Sequence, residues 1–403
     1  MKLRPTNLYT TASLFLFTLL SCQFANENAN AHTHFLLEPE TFETNTLQSN
    51  VSTSPEWAVV KQRIDSFYNR QVAAGFNGSV LVGYKGKIVY EQYYGIANRS
   101  KGLPLSEQAS VQLASVSKTF TAAAVLYLYQ HKYLDINDLV STYIPSFPYK
   151  NISIKMLLNH RSGLPDYTHW AVPYANRSKR IFYNDDIIKL LASVKPRLDF
   201  PSNTHFKYSN TNYAVLAKLI EIVTEMPYKS FMQKYIFKPL GMEHTFVFDP
   251  ADGLPASASI SYKYNWQAEP VMFADGIYGD KGIYSTVRDM YKWDQSFYQN
   301  KLLNNETIEL AYGPCSFEKA GVKNYGLGWR MLCFTNGNKI IYHNGWWHGN
   351  TSSYITQKTD TVTIIALSNK MTYNTYKTKK FLALFNSKYP IKLDNTDVGG
   401  ANE

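Results

Sequence analysis

The sequence has few cysteines and no recognisable metal-binding motif. Its 403 residues contain three cysteines, Cys22, Cys315 and Cys333, and no pair of them has the spacing of zinc ligands. This scarcity excludes a small fold that is held together by disulfides. The nine histidines are scattered and form no HExxH motif, so we expect neither a metal nor another cofactor.

Charged residues are also scarce, at 18% of the chain, whereas 45% are hydrophobic and 15% are aromatic. A chain of this composition is neither disordered nor a coiled coil, and its length allows about two or three domains. The net charge of +10 comes without a dense run of basic residues. A positive net charge that is spread along the chain is typical of a solvated surface, so we expect no nucleic-acid partner.

No hydrophobic run is long enough to cross a bilayer as a helix. Lys2 and Arg4 precede an apolar run of about 13 residues, at positions 8–20, whereas a helix that spans a bilayer needs about 20. Small polar residues follow the run. This pattern is typical of a secretory signal peptide, which we assign to residues 1–21.

The end of this run resembles the lipobox of bacterial lipoproteins, in which the cysteine is acylated after cleavage. The four residues are LLSC, ending at Cys22. The resemblance implies a lipid anchor at Cys22 that holds the protein in the bacterial cell envelope, with its domain in the periplasm or on the cell surface. Ordinary cleavage beside an incidental cysteine is the alternative. If Cys22 is acylated, Cys315 and Cys333 remain, either as a disulfide or as two free thiols.

The segment after the signal peptide is rich in Asn, Thr, Ser and Glu and has little apolar periodicity. This composition predicts a flexible tether over residues 22–54. We place the folded domain at residues 55–390 and a tail at residues 391–403.

The order of the predicted elements indicates an α+β fold. Strand-like residues 79–83 and 88–94 flank a turn and form a hairpin. Residues 115–131 lack Gly and Pro and predict a helix that is apolar nearly all round and therefore buried. Further strands are predicted at residues 340–342, 352–356 and 362–367, with a closing helix at 373–387. We expect a sheet part at about 55–105 and 265–390, a helical part at about 106–264, and a cleft between them.

The residues that could carry chemistry begin with Ser115 and Lys118, an SxxK tetrad at the start of the predicted buried helix. Residues at positions i and i+3 share one helical face, so the lysine amine can reach the serine hydroxyl and take its proton. About two such tetrads are expected by chance, and the other, from Ser316 to Lys319, leads into a poor helix. The alternative is that Ser115 caps the helix and Lys118 is a surface residue.

A second element is Tyr208-Ser209-Asn210, just before another predicted helix. A tyrosine hydroxyl near a lysine can relay a proton between nucleophile and leaving group. The asparagine amide can hold a substrate carbonyl. A core tyrosine followed by a helix cap is the alternative interpretation.

A third element is His343-Asn344-Gly345, which follows a predicted strand. The glycine would let a substrate backbone approach the strand edge, and the histidine would face the cleft and bind an anionic or polar group. A simple turn is the alternative, because Asn-Gly is a common turn signal. Trp346 and Trp347 follow directly, and since two adjacent side chains cannot both enter one core, we expect one of them to line the cleft.

In this order the three elements resemble the motifs of the serine β-lactamase and penicillin-binding-protein superfamily. The resemblance is closest to its class C β-lactamase-like branch, which includes D-aminopeptidases, DD-peptidases and carboxylesterases. It covers roughly residues 60–385 and extends to the segments 76–82, 157–165, 239–242 and 279–286. It implies an α+β fold in which helices flank an antiparallel sheet and an all-helical subdomain is inserted.

The resemblance also implies a role for each motif residue. Ser115 would be the nucleophile that is acylated, and Lys118 would be its base, sharing protons with Tyr208. Asn210 would occupy the amide position of the second motif. The backbone N–H groups of Ser115 and Trp346 would form the oxyanion hole. The substrate would be a small molecule or a short peptide.

His343 and Gly345 would take the places of the third motif, with one departure from the common pattern. Penicillin-binding proteins and most β-lactamases have lysine at the His343 position, where it helps to hold the substrate carboxylate. A neutral histidine does this less well near pH 7. The resemblance therefore predicts an envelope serine hydrolase acting on D-amino-acid peptides or amides, peptidoglycan-derived peptides or small esters. A β-lactamase, or a binding lipoprotein without turnover, is the alternative.

Overall fold

The computed structural model describes residues 35–42 and 50–385, so the predicted signal peptide, Cys22 and the predicted tail lie outside the described residues. The strands, in chain order, are β1 Gly78–Tyr84, β2 Lys87–Tyr94, β3 Ile96–Asn98, β4 Leu103–Pro104, β5 Val111–Gln112, β6 Phe246–Val247, β7 Ile283–Ser285, β8 Lys323–Tyr325, β9 Arg330–Cys333, β10 Lys339–Trp347, β11 Asn350–Gln357 and β12 Val362–Ser368. The α-helices are α1 Ala58–Ala73, α2 Ser117–Gln130, α3 Val140–Tyr143, α4 Ile154–Leu158, α5 Tyr167–Trp170, α6 Val172–Ser178, α7 Asn184–Val194, α8 Asn210–Thr224, α9 Tyr228–Phe231, α10 Val287–Tyr298 and α11 Asn305–Ala311. Segments of 3-10 helix lie at Pro55–Trp57, Ala114–Val116, Phe273–Asp275 and Asn374–Leu384, and a π-helical segment at Met232–Phe237.

The main sheet begins with the hairpin that the sequence predicts. β1 and β2 are joined at Lys85 and Gly86, whose φ angles are +48° and +76°. Positive φ at both turn residues matches the twist of the two strands, and glycine adopts it without steric cost. The seven strands run in the order β2-β1-β12-β11-β10-β9-β8, and every neighbouring pair is antiparallel. Strands from the two ends of the domain therefore pair with each other at β1 and β12.

Alternation along the strands gives the main sheet two buried faces. Val80 and Val82 of β1 point to one face, where they join a cluster with Phe67 of α1. Leu81, between them, points to the other face, in the cluster that includes Trp293 of α10. Successive side chains of a strand lie on opposite faces, so a strand that is apolar at every position is covered on both.

α2 is the buried helix that the sequence predicts, and its residues at positions 117–128 are all buried. The ring of Phe120 stacks on Trp293 at a centroid distance of 4.0 Å. The α-helix begins at Ser117, two residues later than predicted. Ala114 has a φ of +48°, which an α-helix does not accommodate, and Ser115 lies in the 3-10 turn that leads into α2.

Residues 35–42 lie within the segment that the sequence assigns to a tether, and they pack against the helical part. The ring of Phe35 lies 4.7 Å from that of Tyr133 and 5.1 Å from that of Tyr235, between centroids. The hydroxyl of Tyr235 donates a hydrogen bond to the backbone oxygen of Leu37 over 2.8 Å. The apolar run Phe35-Leu36-Leu37 is too short to show a helical or strand period, so this docking was not apparent from the sequence.

Cys315 and Cys333 are free thiols, each partly exposed, so the structure does not contain the disulfide that the sequence left open. No helix within residues 35–42 and 50–385 has the length and apolar character needed to cross a membrane.

Candidate active site

Ser115 and Lys118 meet at the start of α2. The Nζ atom of Lys118 lies 3.2 Å from the Oγ atom of Ser115. The Lys118 side chain is fully buried, whereas Ser115 is partly exposed, so the hydroxyl is accessible and the amine is enclosed. The burial excludes the alternative in which Lys118 is a surface residue. A buried amine within hydrogen-bond distance of an accessible hydroxyl is the arrangement that general-base activation of a serine requires.

Lys118 has two further partners, and both are oxygen atoms that can only accept. Its Nζ donates to the side-chain oxygen of Asn210 over 2.7 Å and to the backbone oxygen of Asp280 over 2.8 Å. A neutral amine has two protons and one lone pair. If the two protons go to these acceptors, the lone pair is left for the hydroxyl proton of Ser115.

The Asn210 amide is held from its other end by Asp166. One carboxylate oxygen of Asp166 accepts from the backbone nitrogen and from the side-chain nitrogen of Asn210, each over 2.9 Å. This fixes the amide so that its oxygen points at Lys118. The amide nitrogen has a second N–H, so the predicted contact of this amide with a substrate carbonyl stays a prediction. Sequence reasoning missed Asp166, whose only signal was a helix-cap pattern at the start of α5.

Tyr208 lies beside Lys118, but with its ring rather than its hydroxyl. The centroid of the ring is 4.8 Å from Nζ of Lys118. The buried Tyr208 hydroxyl has no hydrogen-bond partner within the described part of the chain. The predicted sharing of a proton between Tyr208 and Lys118 is therefore not seen as a direct hydrogen bond in this structure.

His343 differs from its predicted position, because it is fully buried in β10 and does not face a cleft. Its Nδ1 lies 2.7 Å from the backbone oxygen of Asn344, and its Nε2 lies 3.3 Å from the hydroxyl of Tyr325. Burial lowers the pKa of His343 well below its usual value, and the nearby charges of Arg330 and Lys118 act in the same direction. The ring is therefore neutral, and both of its nitrogens are occupied.

Gly345 and Trp346 bring β10 against the turn that carries Ser115. A Cβ atom on Gly345 would lie 2.3 Å from the backbone oxygen of Leu113 and 2.9 Å from the backbone nitrogen of Ser115. The close approach therefore requires glycine. It places the backbones of Ser115 and Trp346, predicted to form the oxyanion hole, on adjoining segments. The Trp346 indole is 40% exposed, with its nitrogen 3.1 Å from the Met371 sulfur.

The backbone just before Ser115 is strained. Ala114 has a φ of +48°, in the left-handed region, which costs an L-residue roughly 1–2 kcal/mol. The turn is held from the sheet side, where the Ser352 hydroxyl donates to the backbone oxygen of Leu113 over 2.5 Å. The strain and the clamp together fix the orientation of Ser115.

A cavity of about 770 Å³ is lined by Arg330 and Tyr325, whereas Ser115 and Lys118 are not part of its lining. The guanidinium of Arg330 lies 5.0 Å from the centre of the Tyr208 ring. Within the described residues no carboxylate forms an ion pair with Arg330. Arg330 was not among the predicted site residues. Its position results from the pairing of β9 with β10, in which Arg330 lies opposite Tyr342.

The sequence model of the family described as Beta-lactamase matches residues 62–386. Penicillin-binding protein 4* of Bacillus subtilis is 33% identical over 310 residues, which cover 73% of this chain and 68% of that protein. A D-aminopeptidase of Brucella anthropi is 28% identical, covering 67% of this chain but only 52% of that protein. An N-acetylmuramyl-L-alanine amidase of Bacillus subtilis is 26% identical and covers 88% of each chain.

Two solved structures resemble this one in fold. A penicillin-binding protein homologue from Pyrococcus abyssi superposes with a TM-score of 0.72 at 23% identity, over 82% of this chain and 78% of that one. A class C β-lactamase gives a TM-score of 0.69 at 20% identity, over 83% of this chain and 98% of that one. The predicted fold, an antiparallel sheet flanked by helices, is confirmed by these similarities.

Proposed function

Because this chain belongs to the serine β-lactamase and penicillin-binding-protein superfamily, we propose that it is a serine hydrolase that works through an acyl-enzyme on Ser115. The observation that carries the proposal is the 3.2 Å contact between Ser115 Oγ and the buried Lys118 amine. The two other partners of that amine are acceptors, so a neutral amine that donates to both of them presents its lone pair to the serine hydroxyl.

The proposed reaction proceeds in two halves. Lys118 takes the hydroxyl proton while Ser115 Oγ attacks the substrate carbonyl carbon, and the resulting oxyanion is stabilised by the N–H groups of Ser115 and Trp346. Collapse breaks the bond to the leaving group, which receives the proton from Lys118. The Tyr208 hydroxyl, buried without a partner, is our candidate for passing that proton on. Water then attacks the acyl-enzyme with Lys118 again as base, which releases the acid product and restores Ser115.

We propose D-amino-acid peptides or amides and peptidoglycan-derived peptides as substrates, with small esters as simpler ones. Relatives named D-aminopeptidase and N-acetylmuramyl-L-alanine amidase support this class. The chemistry of Arg330 supports a substrate that bears a carboxylate, because a cation beside the site without a carboxylate partner can bind one. Such substrates fit the proposed envelope location, in which acylated Cys22 would anchor the domain.

A β-lactamase is the second candidate, and Arg330 is the observation that favours it. With His343 neutral and buried, Arg330 could hold the β-lactam carboxylate that a lysine holds in most of these enzymes. Steady turnover of nitrocefin would support this candidate. A burst that stops after about one equivalent would point to a peptidase trapped by a substrate analogue.

The test of the proposed function compares full-length wild-type protein with Ser115→Ala and Ser316→Ala. The second variant removes the serine of the other SxxK tetrad and is the matched control. We expect hydrolysis of p-nitrophenyl acetate and butyrate by wild type and Ser316→Ala, and a loss of about 10³-fold or more in Ser115→Ala. Intact-mass analysis should show an acyl adduct that Ser115→Ala lacks. Full activity in Ser115→Ala would refute the proposal, and binding of muropeptide without any adduct would favour a non-catalytic binding protein.

A further inference from the structure

A second buried lysine, Lys281, lies close to Lys118 and is not used by the proposed reaction. Its side chain is 4% exposed. Its Nζ donates to the hydroxyl of Tyr167 over 2.5 Å and to the backbone oxygen of Ile277 over 3.1 Å. It also lies 4.7 Å from the centre of the Trp347 ring. A buried ammonium group is unfavourable unless nearby groups compensate its charge, so the partners of Lys281 indicate what it does in the structure.

The partners of Lys281 lead directly to Lys118. The Tyr167 hydroxyl accepts from Lys281 and donates to a carboxylate oxygen of Asp280 over 2.8 Å. That carboxylate oxygen is also 3.5 Å from Nζ of Lys281. The backbone oxygen of the same Asp280 accepts from Lys118. The side chain of Asp280 is therefore held by Lys281 and Tyr167, while its backbone holds Lys118.

Tyr167 is also linked to the start of α8, where Asn210 supplies the other acceptor of Lys118. Its backbone nitrogen donates to the hydroxyl of Thr211 over 2.8 Å, at the start of α8. The preceding residue, Asp166, is the one that orients the Asn210 amide. The two groups that accept from Lys118 are the side-chain oxygen of Asn210 and the backbone oxygen of Asp280. Both thus depend on residues 166–167, and Lys281 is packed against this segment.

The charges around the two lysines act on each other. Lys281 faces the carboxylates of Asp280 and Asp275 and the amine of Lys118, and burial lowers its pKa while the two carboxylates oppose this. Asp275 is itself engaged, 2.9 Å from the imidazole of His348. The charges of Lys118 and Arg330 both lower the pKa of the buried rings of His160 and His343.

We propose that Lys281 is a positioning residue for the acylation step: through Tyr167 and Asp280 it holds the groups that accept from Lys118. This inference rests on the proposed function. It makes Lys281 important for the position of the base rather than for substrate binding. Replacement of Lys281 removes the cation that holds the Asp280 carboxylate and the Tyr167 hydroxyl, so the two acceptors of Lys118 lose their support.

The test measures kcat and KM for p-nitrophenyl butyrate in wild type, Lys281→Met and Lys292→Met. Lys292 is the matched control, because it also pairs with a buried aspartate, Asp289. We expect kcat of Lys281→Met to fall about 10-fold with KM unchanged, because a displaced base slows acylation without changing substrate binding. Lys281→Arg should restore part of kcat, because arginine keeps the cation. An unchanged kcat, an equal loss in Lys292→Met, or a loss that appears only in KM would overturn the proposal.

A second measurement does not depend on turnover. NMR of ¹³C-labelled lysine side chains, with the Lys118 signal identified by its absence in Lys118→Met, reports the surroundings of the Lys118 amine directly. We expect this signal to change its chemical shift in Lys281→Met and to stay unchanged in Lys292→Met. If wild type hydrolyses nothing, the proposed function fails while this spectrum still decides the role of Lys281. If Lys281→Met does not fold, Tyr167→Phe takes its place, and an unchanged Lys118 signal there would refute the proposal.

Discussion

The amide oxygen of Asn210 lies 2.7 Å from Nζ of Lys118, across 92 positions of sequence. The amide nitrogen of Asn210 is engaged by Asp166 over 2.9 Å. A carboxylate only accepts, so Asp166 determines which end of the amide faces the lysine. The orientation of the amide that accepts from Lys118 therefore depends on Asp166.

Replacement of Asp166 by alanine should weaken catalysis by releasing this amide. A hydrogen bond to a charged group contributes about 1.5–3 kcal/mol, so we expect kcat/KM to fall about 10- to 100-fold, measured with p-nitrophenyl butyrate. Asp252→Ala is the control, because it removes an exposed aspartate that pairs with Lys229. An Asp166→Ala variant as active as wild type would show that the amide orientation does not matter.

Replacement of Gly345 by alanine should displace the turn that carries the nucleophile. The added Cβ would lie 2.3 Å from the backbone oxygen of Leu113 and 2.9 Å from the nitrogen of Ser115. A shift of about 1 Å at a reacting group can cost about 100-fold in rate, and we expect kcat/KM to fall by about that factor. Gly102→Ala is the control, since nothing lies within 4 Å of the added atom there. Equal activities of the two variants would contradict the proposed close fit.

Replacement of Arg330 by methionine should act selectively on substrates that carry a carboxylate. We expect KM for a peptide ending in a free D-alanine carboxylate to rise about 10- to 100-fold, while the same peptide with an amidated end changes little. Lys207→Met is the control, because Lys207 lines the same cavity but pairs with Asp199. An equal rise for both peptides, or an equal effect of Lys207→Met, would rule out a specific role for Arg330.

The stability of the fold should decrease in mild acid because of His160 and His343. Burial lowers the pKa of both below the usual value. Below a pH of about 6.5 the unfolded chain gains a proton at each histidine that the native state does not, so stability falls as pH falls. The loss is about 1.4 kcal/mol per pH unit for each histidine until the native pKa is reached.

Urea unfolding between pH 7.5 and 5.5 measures this effect. His343→Gln should show a shallower dependence of the unfolding free energy on pH than wild type. His205→Gln, at an exposed position, is the control for the loss of a histidine. An unchanged pH dependence in His343→Gln would show that the buried ring is not kept neutral.

Local patterns in the sequence were sufficient to find the elements that carry the site. The hairpin of β1 and β2 follows from alternation and a turn signal, and the buried α2 follows from an apolar run without Gly or Pro. The contact between Ser115 and Lys118 follows from their spacing of three residues. Each of these depends on residues that are close together in the chain, so a local pattern contains the information.

The tertiary structure alone decided what surrounds Lys118. Asp280 and Lys118 are 162 positions apart, and Asp166 and Asn210 are 44 apart, so their contacts depend on how α5 and α8 pack beside α2. His343 is buried because both faces of β10 are covered, and the sequence of one strand does not show what packs on its two faces. The sequence by itself determined the fold class and the contact between Ser115 and Lys118. The long-range packing determined the acceptors, charges and buried rings that set the chemistry of that pair.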